Sequence, residues 1–124
     1  ILLVEDEASV RNFATAVLQR YGYRVLQAGS GADALEVWKW HSQKIALLVT
    51  DLVMPEDMTG VELAEKLQTE KPSLKVIVTS GYSGDLLEQS FAARPGVQFL
   101  PKPYPPRALA QAVRDALGRS AGKI

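Results

Sequence analysis

The chain has 124 residues, 47% of them hydrophobic and 23% charged, which is enough apolar material for one globular domain with a core. The formal net charge is +0 and no Lys/Arg run occurs, so nothing marks a nucleic-acid footprint or an anionic membrane surface. Without Cys, disulfides, thiolate catalysis and Cys-based metal sites are excluded, and no apolar stretch approaches the roughly 18 residues that would span a bilayer.

Residues 1–4, Ile-Leu-Leu-Val, read as a buried strand that stops at Glu5-Asp6-Glu7. No signal-peptide pattern opens the chain, and its start in strand-like sequence at Ile1 suggests a domain of a longer protein. The helix that follows carries Val10, Phe13, Ala14, Val17, Leu18 and Tyr21 at helical spacing, which predicts a core-facing stripe ending at Gly22. A short strand is expected over 24–28, a turn at 29–31 and a helix over 32–40 with Ala34, Leu35 and Trp38 inward. The next strand, over 45–50, is a continuous apolar run, as expected of a central strand covered on both faces. It ends on Asp51, and Pro55 closes it. A polar loop over 56–60 leads to a helix over 61–70 with Leu63, Ala64 and Leu67 inward, closed by Pro72. A β-branched strand spans 75–79, a loop follows Ser80, and a weaker helix spans 85–93. The last strand spans 97–100, Pro101-Lys102-Pro103 is a rigid connection, and a helix over 106–117 starts with Pro in its first turn. Residues 120–124 form a small polar tail. Alternation of five strands with five helices predicts right-handed crossovers and a parallel sheet covered on both faces.

In such a sheet all strand carboxyl ends share one edge, where open α/β sheets bind ligands. The first strand brings Glu5, Asp6 and Glu7 there, the third Asp51, the fourth Ser80 and the fifth Lys102; the second offers no chemistry. Converging carboxylates repel one another unless a cation separates them. A hard divalent ion such as Mg²⁺, bound through oxygen and keeping several waters, fits this set. Zn²⁺ is disfavoured, because the single His, His41, is far from these strand ends. Taken singly the residues have plainer uses: Asp51 as a turn cap, the acids as charge at a helix start, Ser80 as a turn residue, Lys102 as a solvated cation. Together they suit phosphoryl transfer to a carboxylate. Aspartate is a covalent nucleophile that is ionised at neutral pH and needs no base. The transferring group needs metal and cation stabilisation more than acid–base help.

Over nearly its whole length the chain resembles the receiver domain of two-component response regulators. The motifs are Leu3-Val4-Glu5-Asp6-Glu7, Thr50-Asp51-Leu52-Val53-Met54-Pro55, Gly60-Val61-Glu62-Leu63, Val78-Thr79-Ser80-Gly81 and Lys102-Pro103. The resemblance implies a flavodoxin-like, doubly wound α/β fold with strand order 2-1-3-4-5, formed by residues 1–118 and followed by a linker or tail over 119–124. It implies that Asp51 accepts a phosphoryl group from a phosphohistidine, and that Glu5, Asp6, Asp51 and the Val53 main-chain carbonyl surround Mg²⁺. Ser80 matches the family's hydroxyl residue and Lys102 its lysine. Phe99 matches the aromatic switch, and Val53 and Tyr82 match positions that tune phosphate lifetime. The Lys102–Pro103 peptide is expected to be cis. Glu5 stands where many receivers have Asp, and the Glu56-Asp57-Met58-Thr59 stretch is slightly longer than the commonest form. Asp57 is a neighbouring acid, set aside because Asp51 ends the strand.

By the same resemblance the partner is a histidine kinase or histidine phosphotransfer domain, the location is cytoplasmic, and neither nucleic acid nor membrane is contacted directly. The face of the fourth helix, fifth strand and fifth helix is the expected surface for output or a homodimer. The Thr79-Ser80-Gly81-Tyr82-Ser83 phrase resembles receivers fused to sensor histidine kinases. No kinase catalytic motif is present on the chain. The sequence also admits a degenerate receiver serving only as an interaction module and a flavodoxin-like cofactor binder. Glu5-Asp6-Glu7 would repel a cofactor phosphate in the latter. A haloacid-dehalogenase-type phosphatase would need an Asp-x-Asp that Asp51-Leu52-Val53 lacks.

Overall fold

A computed structural model of the chain describes residues 1–52, 58–80 and 96–121. Five strands form one parallel sheet in the order β2-β1-β3-β4-β5: β1 Leu2–Val4, β2 Leu26–Ala28, β3 Leu47–Asp51, β4 Lys75–Ser80 and β5 Val97–Pro101. The crossovers described are α1 Ala8–Arg20, α2 Gly31–His41 and α3 Gly60–Glu70, and a C-terminal helix Pro106–Ala121 follows β5. The expected helix over 85–93 lies outside the described residues, as do Val53, Asp57 and Tyr82.

The strands alternate with a period of two, and both faces are covered. On one face Leu2, Val4, Leu48, Val76 and Val78 pack with Ala34 and Trp38 of α2 and Leu63, Ala64 and Leu67 of α3. On the other, Leu3, Leu47, Val49 and Ile77 pack with Ala14, Val17 and Leu18 of α1 and Leu109 and Val113 of the C-terminal helix. The central strand β3 is buried at every position, which is why its sequence shows no polar alternation.

The stripe on α1 is narrower than its spacing suggests. Ala14, Val17 and Leu18 are buried, but Phe13 is 42% and Tyr21 56% exposed. They sit at the margins of the face, where Phe13 leans its ring on Tyr104 at 6.3 Å between centroids. Gly22 takes φ +92 just after the helix, the left-handed position that glycine tolerates. The edge strand β2 is shorter than expected, because only Leu26–Ala28 find partners in the three-residue β1. Past α2 the chain adds a 3-10 turn, Ser42–Lys44, whose carbonyl at Ser42 accepts from Lys71 Nζ at 3.0 Å. The C-terminal helix continues past residue 117 to Ala121, a glycine at position 118 costing a helix only about 1 kcal/mol.

The start of α3 packs closely against the end of β3. Thr59 caps α3 through its hydroxyl, which accepts from the Glu62 N–H at 3.1 Å, while Glu62 Oε1 accepts from the Thr59 N–H at 3.0 Å. This sets Gly60 against the strand end, its N–H donating to the Leu52 carbonyl at 2.9 Å. A Cβ on Gly60 would run into the Asp51 main-chain oxygen and meet the Leu52 Cα at 3.1 Å. Backbone cannot step aside as a flexible side chain can. Gly60→Ala is therefore expected to destabilise the domain by about 3 kcal/mol, at the upper end of ordinary overpacking, read as a drop in urea midpoint. Thr59→Ala, which removes only the cap, should cost about 1 kcal/mol.

Candidate functional site

The polar strand ends converge as the parallel topology requires. β1 runs into Glu5, whose N–H continues the ladder to the Ala28 carbonyl at 3.0 Å. Asp51 is the last residue of β3, paired across the sheet with Thr79. Ser80 ends β4 and is buried, and its carbonyl accepts from the Lys102 N–H at 2.8 Å. The Lys102–Pro103 peptide is cis, as expected.

Lys102 ties three strand ends together. Its ammonium lies 2.8 Å from Glu5 Oε1 and 3.1 Å from Asp51 Oδ2. The Glu5 side chain is 4% exposed and that of Lys102 21%, so the contacts are largely removed from water. The second Glu5 oxygen, Oε2, accepts from the Glu7 N–H at 3.1 Å. Burial raises the Glu5 carboxyl above its ordinary range, and the nearby Asp51 charge adds to the rise; Lys102 and the Glu7 amide pull the other way without cancelling it. For Lys102, burial alone would lower the ammonium, but its bonds to Glu5 and Asp51 outweigh burial and leave it raised. Tyr104, buried beneath the site, is raised by burial first and then by the Glu5 charge.

Glu5, Asp6 and Asp51 each offer one carboxylate oxygen, all within 4.8 Å of one another, with Asp6 exposed at the mouth. An oxygen-only donor set of this size, lacking His and Cys, suits Mg²⁺, which needs one or two carboxylates and keeps water on its other positions. The residues present fit such an ion. Phe99 is half-buried on the edge strand, packed against the apolar cluster that α2 and α3 share.

Residues 1–114 match the family model for the response regulator receiver domain. The chain belongs to that family. It is 39% identical over 117 residues to the sensor kinase CckA of Brucella abortus, covering 94% of this chain but 12% of the kinase. It is 34% identical to the response regulator receiver protein CpdR of the same organism, covering 94% of this chain and 95% of CpdR. The chain therefore spans about an eighth of one relative and nearly all of the other. Among solved structures, the receiver domain from the hybrid histidine kinase CckA superposes with a TM-score of 0.79 at 35% identity, covering 94% of this chain and 96% of that one. A receiver domain protein from Clostridium thermocellum gives 0.86 at 26% identity, covering 99% and 97%. The flavodoxin-like topology with strand order 2-1-3-4-5 is thus that of a receiver domain. No described helix is long and apolar enough to cross a membrane.

Three features of this receiver domain escape a sequence reading. The Glu5–Lys102 contact joins residues that sequence places at opposite ends of the chain. Arg11 reaches back from α1 to the Glu5 carbonyl at 2.7 Å. Tyr104 follows Lys102 into the core beneath the pocket. The Thr59-x-x-Glu62 capping box, in contrast, is a readable signal inside a stretch expected only as polar loop.

Removing the ammonium leaves two buried carboxylates facing each other. Lys102→Met is expected to destabilise the metal-free domain by about 3 kcal/mol, the range for breaking a buried pair from one side. With its opposing cation gone, Glu5 rises further above its unfolded value. A carboxyl raised in the folded state stabilises fully below its unfolded value, about 4.3, and loses that contribution as pH climbs through the folded one. The variant should therefore weaken from about pH 4.3 upward more steeply than wild type, measured by urea unfolding in chelator across that range.

Proposed function

We propose that this receiver domain takes a phosphoryl group from a phosphohistidine onto Asp51 in two-component signal transduction. The observation that carries the reading is the Lys102 ammonium, 3.1 Å from Asp51 Oδ2 at the carboxyl end of the central strand, with Glu5 and Asp6 beside it. In the transfer, an Asp51 carboxylate oxygen forms a bond to phosphorus as the P–N bond of the donor breaks. The electron pair of that bond stays on the donor ring, which leaves as neutral imidazole when its other nitrogen carries a proton. Glu5, Asp6 and Asp51, with the main-chain carbonyl of Val53, would hold Mg²⁺. When bound, that ion offsets negative charge on the carboxylates and on the phosphoryl oxygens. Lys102 would leave Glu5 and pair with a phosphoryl oxygen, and the Ser80 hydroxyl would donate to another.

The added group brings about 1.5 to 2 negative charges. Drawing Ser80 toward it would open space for Phe99 to turn inward on β5. The face of the fourth helix, β5 and the C-terminal helix would then shift between two populations. That face is the proposed output and homodimer surface. The phosphodonor is a histidine kinase or a histidine phosphotransfer domain, in the cytoplasm, with no direct nucleic-acid contact. The 39% identity to the CckA kinase favours a receiver within a hybrid histidine kinase, whereas the match to nearly all of CpdR leaves a stand-alone regulator as the other arrangement. Residues 1–118 would be the receiver and 119–124 its linker or tail.

The deciding experiment is phosphate incorporation from a small-molecule acyl phosphate, with and without Mg²⁺, on wild type and Asp51→Asn, read by mass spectrometry. Labelling should need Mg²⁺ and vanish in the variant. A folded sample that takes no label would instead be a phosphorylation-independent interaction module. Label surviving in Asp51→Asn would move the acceptor to Asp57 or Asp6. Val53 and Tyr82 offer no short polar group to orient an attacking water, so the phosphoryl group should be lost slowly. Val53→Asn should shorten its half-life severalfold in a single-turnover decay.

A further inference from the structure

Strand β2 carries no acid, hydroxyl or cation at its carboxyl end, yet the pocket leans on it. Glu5 is held at four points. Its N–H donates to the Ala28 carbonyl at 3.0 Å, its Oε2 accepts from the Glu7 N–H at 3.1 Å, and its Oε1 takes the Lys102 ammonium at 2.8 Å. The fourth point is its carbonyl, which accepts from Arg11 Nη1 at 2.7 Å. That carbonyl belongs to the peptide joining Glu5 to Asp6, two of the three acids of the β1–α1 turn.

The geometry is a consequence of α1. Side chains lean toward the N-terminus of a helix, and Arg11 stands one turn in, its N–H bonded to the Glu7 carbonyl at 2.9 Å. A long cation there reaches back over the turn it follows. Space for it exists because residue 29 has no side chain. A Cβ on Gly29 would lie 3.2 Å from Arg11 Nη1 and 3.8 Å from both its Cζ and the Asp33 carboxylate. A larger group there would crowd the guanidinium where it meets the carbonyl.

We infer that Arg11 is a positioning residue of the acid pocket: seated in the notch at Gly29, it locks the Glu5–Asp6 peptide so that both carboxylates face Asp51. The inference rests on the Mg²⁺ reading above. Arg11 bonds a main-chain carbonyl, not a carboxylate that would hold the ion. It acts through the orientation of the turn, as outer partners of metal ligands do. A guanidinium suits the task because its charge-assisted bond to a neutral carbonyl is short and directional.

The test is Mg²⁺ titration of the unphosphorylated full chain by calorimetry, for wild type, Arg11→Met, Arg11→Lys and Gly29→Val. It is paired with acyl-phosphate labelling rates across Mg²⁺ concentrations. Arg11→Met should weaken Mg²⁺ binding roughly tenfold, the low end for an outer-shell partner, while the labelling rate at saturating Mg²⁺ changes little. Gly29→Val should do the same although Arg11 is still present, and Arg11→Lys should recover part of the affinity. A role in stability alone would lower the melting temperature and leave Mg²⁺ affinity where it was. That result in the variants, beside a wild type that binds Mg²⁺, overturns the inference and spares the metal reading. A wild type that binds no Mg²⁺ overturns both. Should Arg11→Met fail to fold, Gly29→Val and Arg11→Lys decide.

Discussion

One ammonium group holds the business edge of this sheet together. Glu5 and Asp51 end adjacent strands and are nearly closed to water, so each charge is costly where it stands and the two repel. Lys102, arriving from the far side of the sheet, satisfies both at once, 2.8 Å from one and 3.1 Å from the other. The rest of the edge follows from that requirement. β5 must end where a lysine can reach inward across β4, and the Lys102 N–H on the Ser80 carbonyl holds it there. Glu5 is held from relaxing outward by the Ala28 carbonyl, the Glu7 amide and Arg11 at the β1 end.

The same edge is closed from below by close packing. Gly60 brings the start of α3 against the backbone of Asp51, and the capping box at Thr59 and Glu62 decides where that helix begins. Apolar side chains on alternate sides of β1, β3 and β4 anchor α2 and α3 on one face and α1 and the C-terminal helix on the other. A site made of strand ends inherits the rigidity of these two layers. Little of it depends on the conformation of any one long loop among the described residues.

Most of this architecture was legible in the sequence because the inner strands β1, β3 and β4 are written as mainly apolar runs that give way to a polar residue. Glu5, Asp51, Ser80 and Lys102 could be placed on one edge from that alone. The exposure of Phe13 and Tyr21 could not. Helical spacing says which way a residue points but not how wide a face its neighbours cover, and here Phe13 and Tyr21 fall at the margins of that face. The Glu5–Lys102 contact was hidden for a different reason. Spacing along the chain carries no signal for which of two acids a distant cation will choose. Arg11 gives no signal in the sequence, since its contact with the Glu5 carbonyl passes through a notch left by the absence of a side chain at position 29.

The two tryptophans share α2, which runs antiparallel to the strands and so carries its C-terminal end toward the sheet edge opposite the acids. Trp38 is buried and donates to Glu70 at 2.8 Å, whereas Trp40 is 71% exposed beside Lys39. The intrinsic emission of this domain is thus a sum of a sheltered and a wet indole, neither within the pocket. Fluorescence will follow unfolding of the α2–α3 layer faithfully, and an external quencher will separate its two components. Ion or phosphoryl occupancy, in contrast, leaves the indole emission unchanged unless it is transmitted through the sheet to α2.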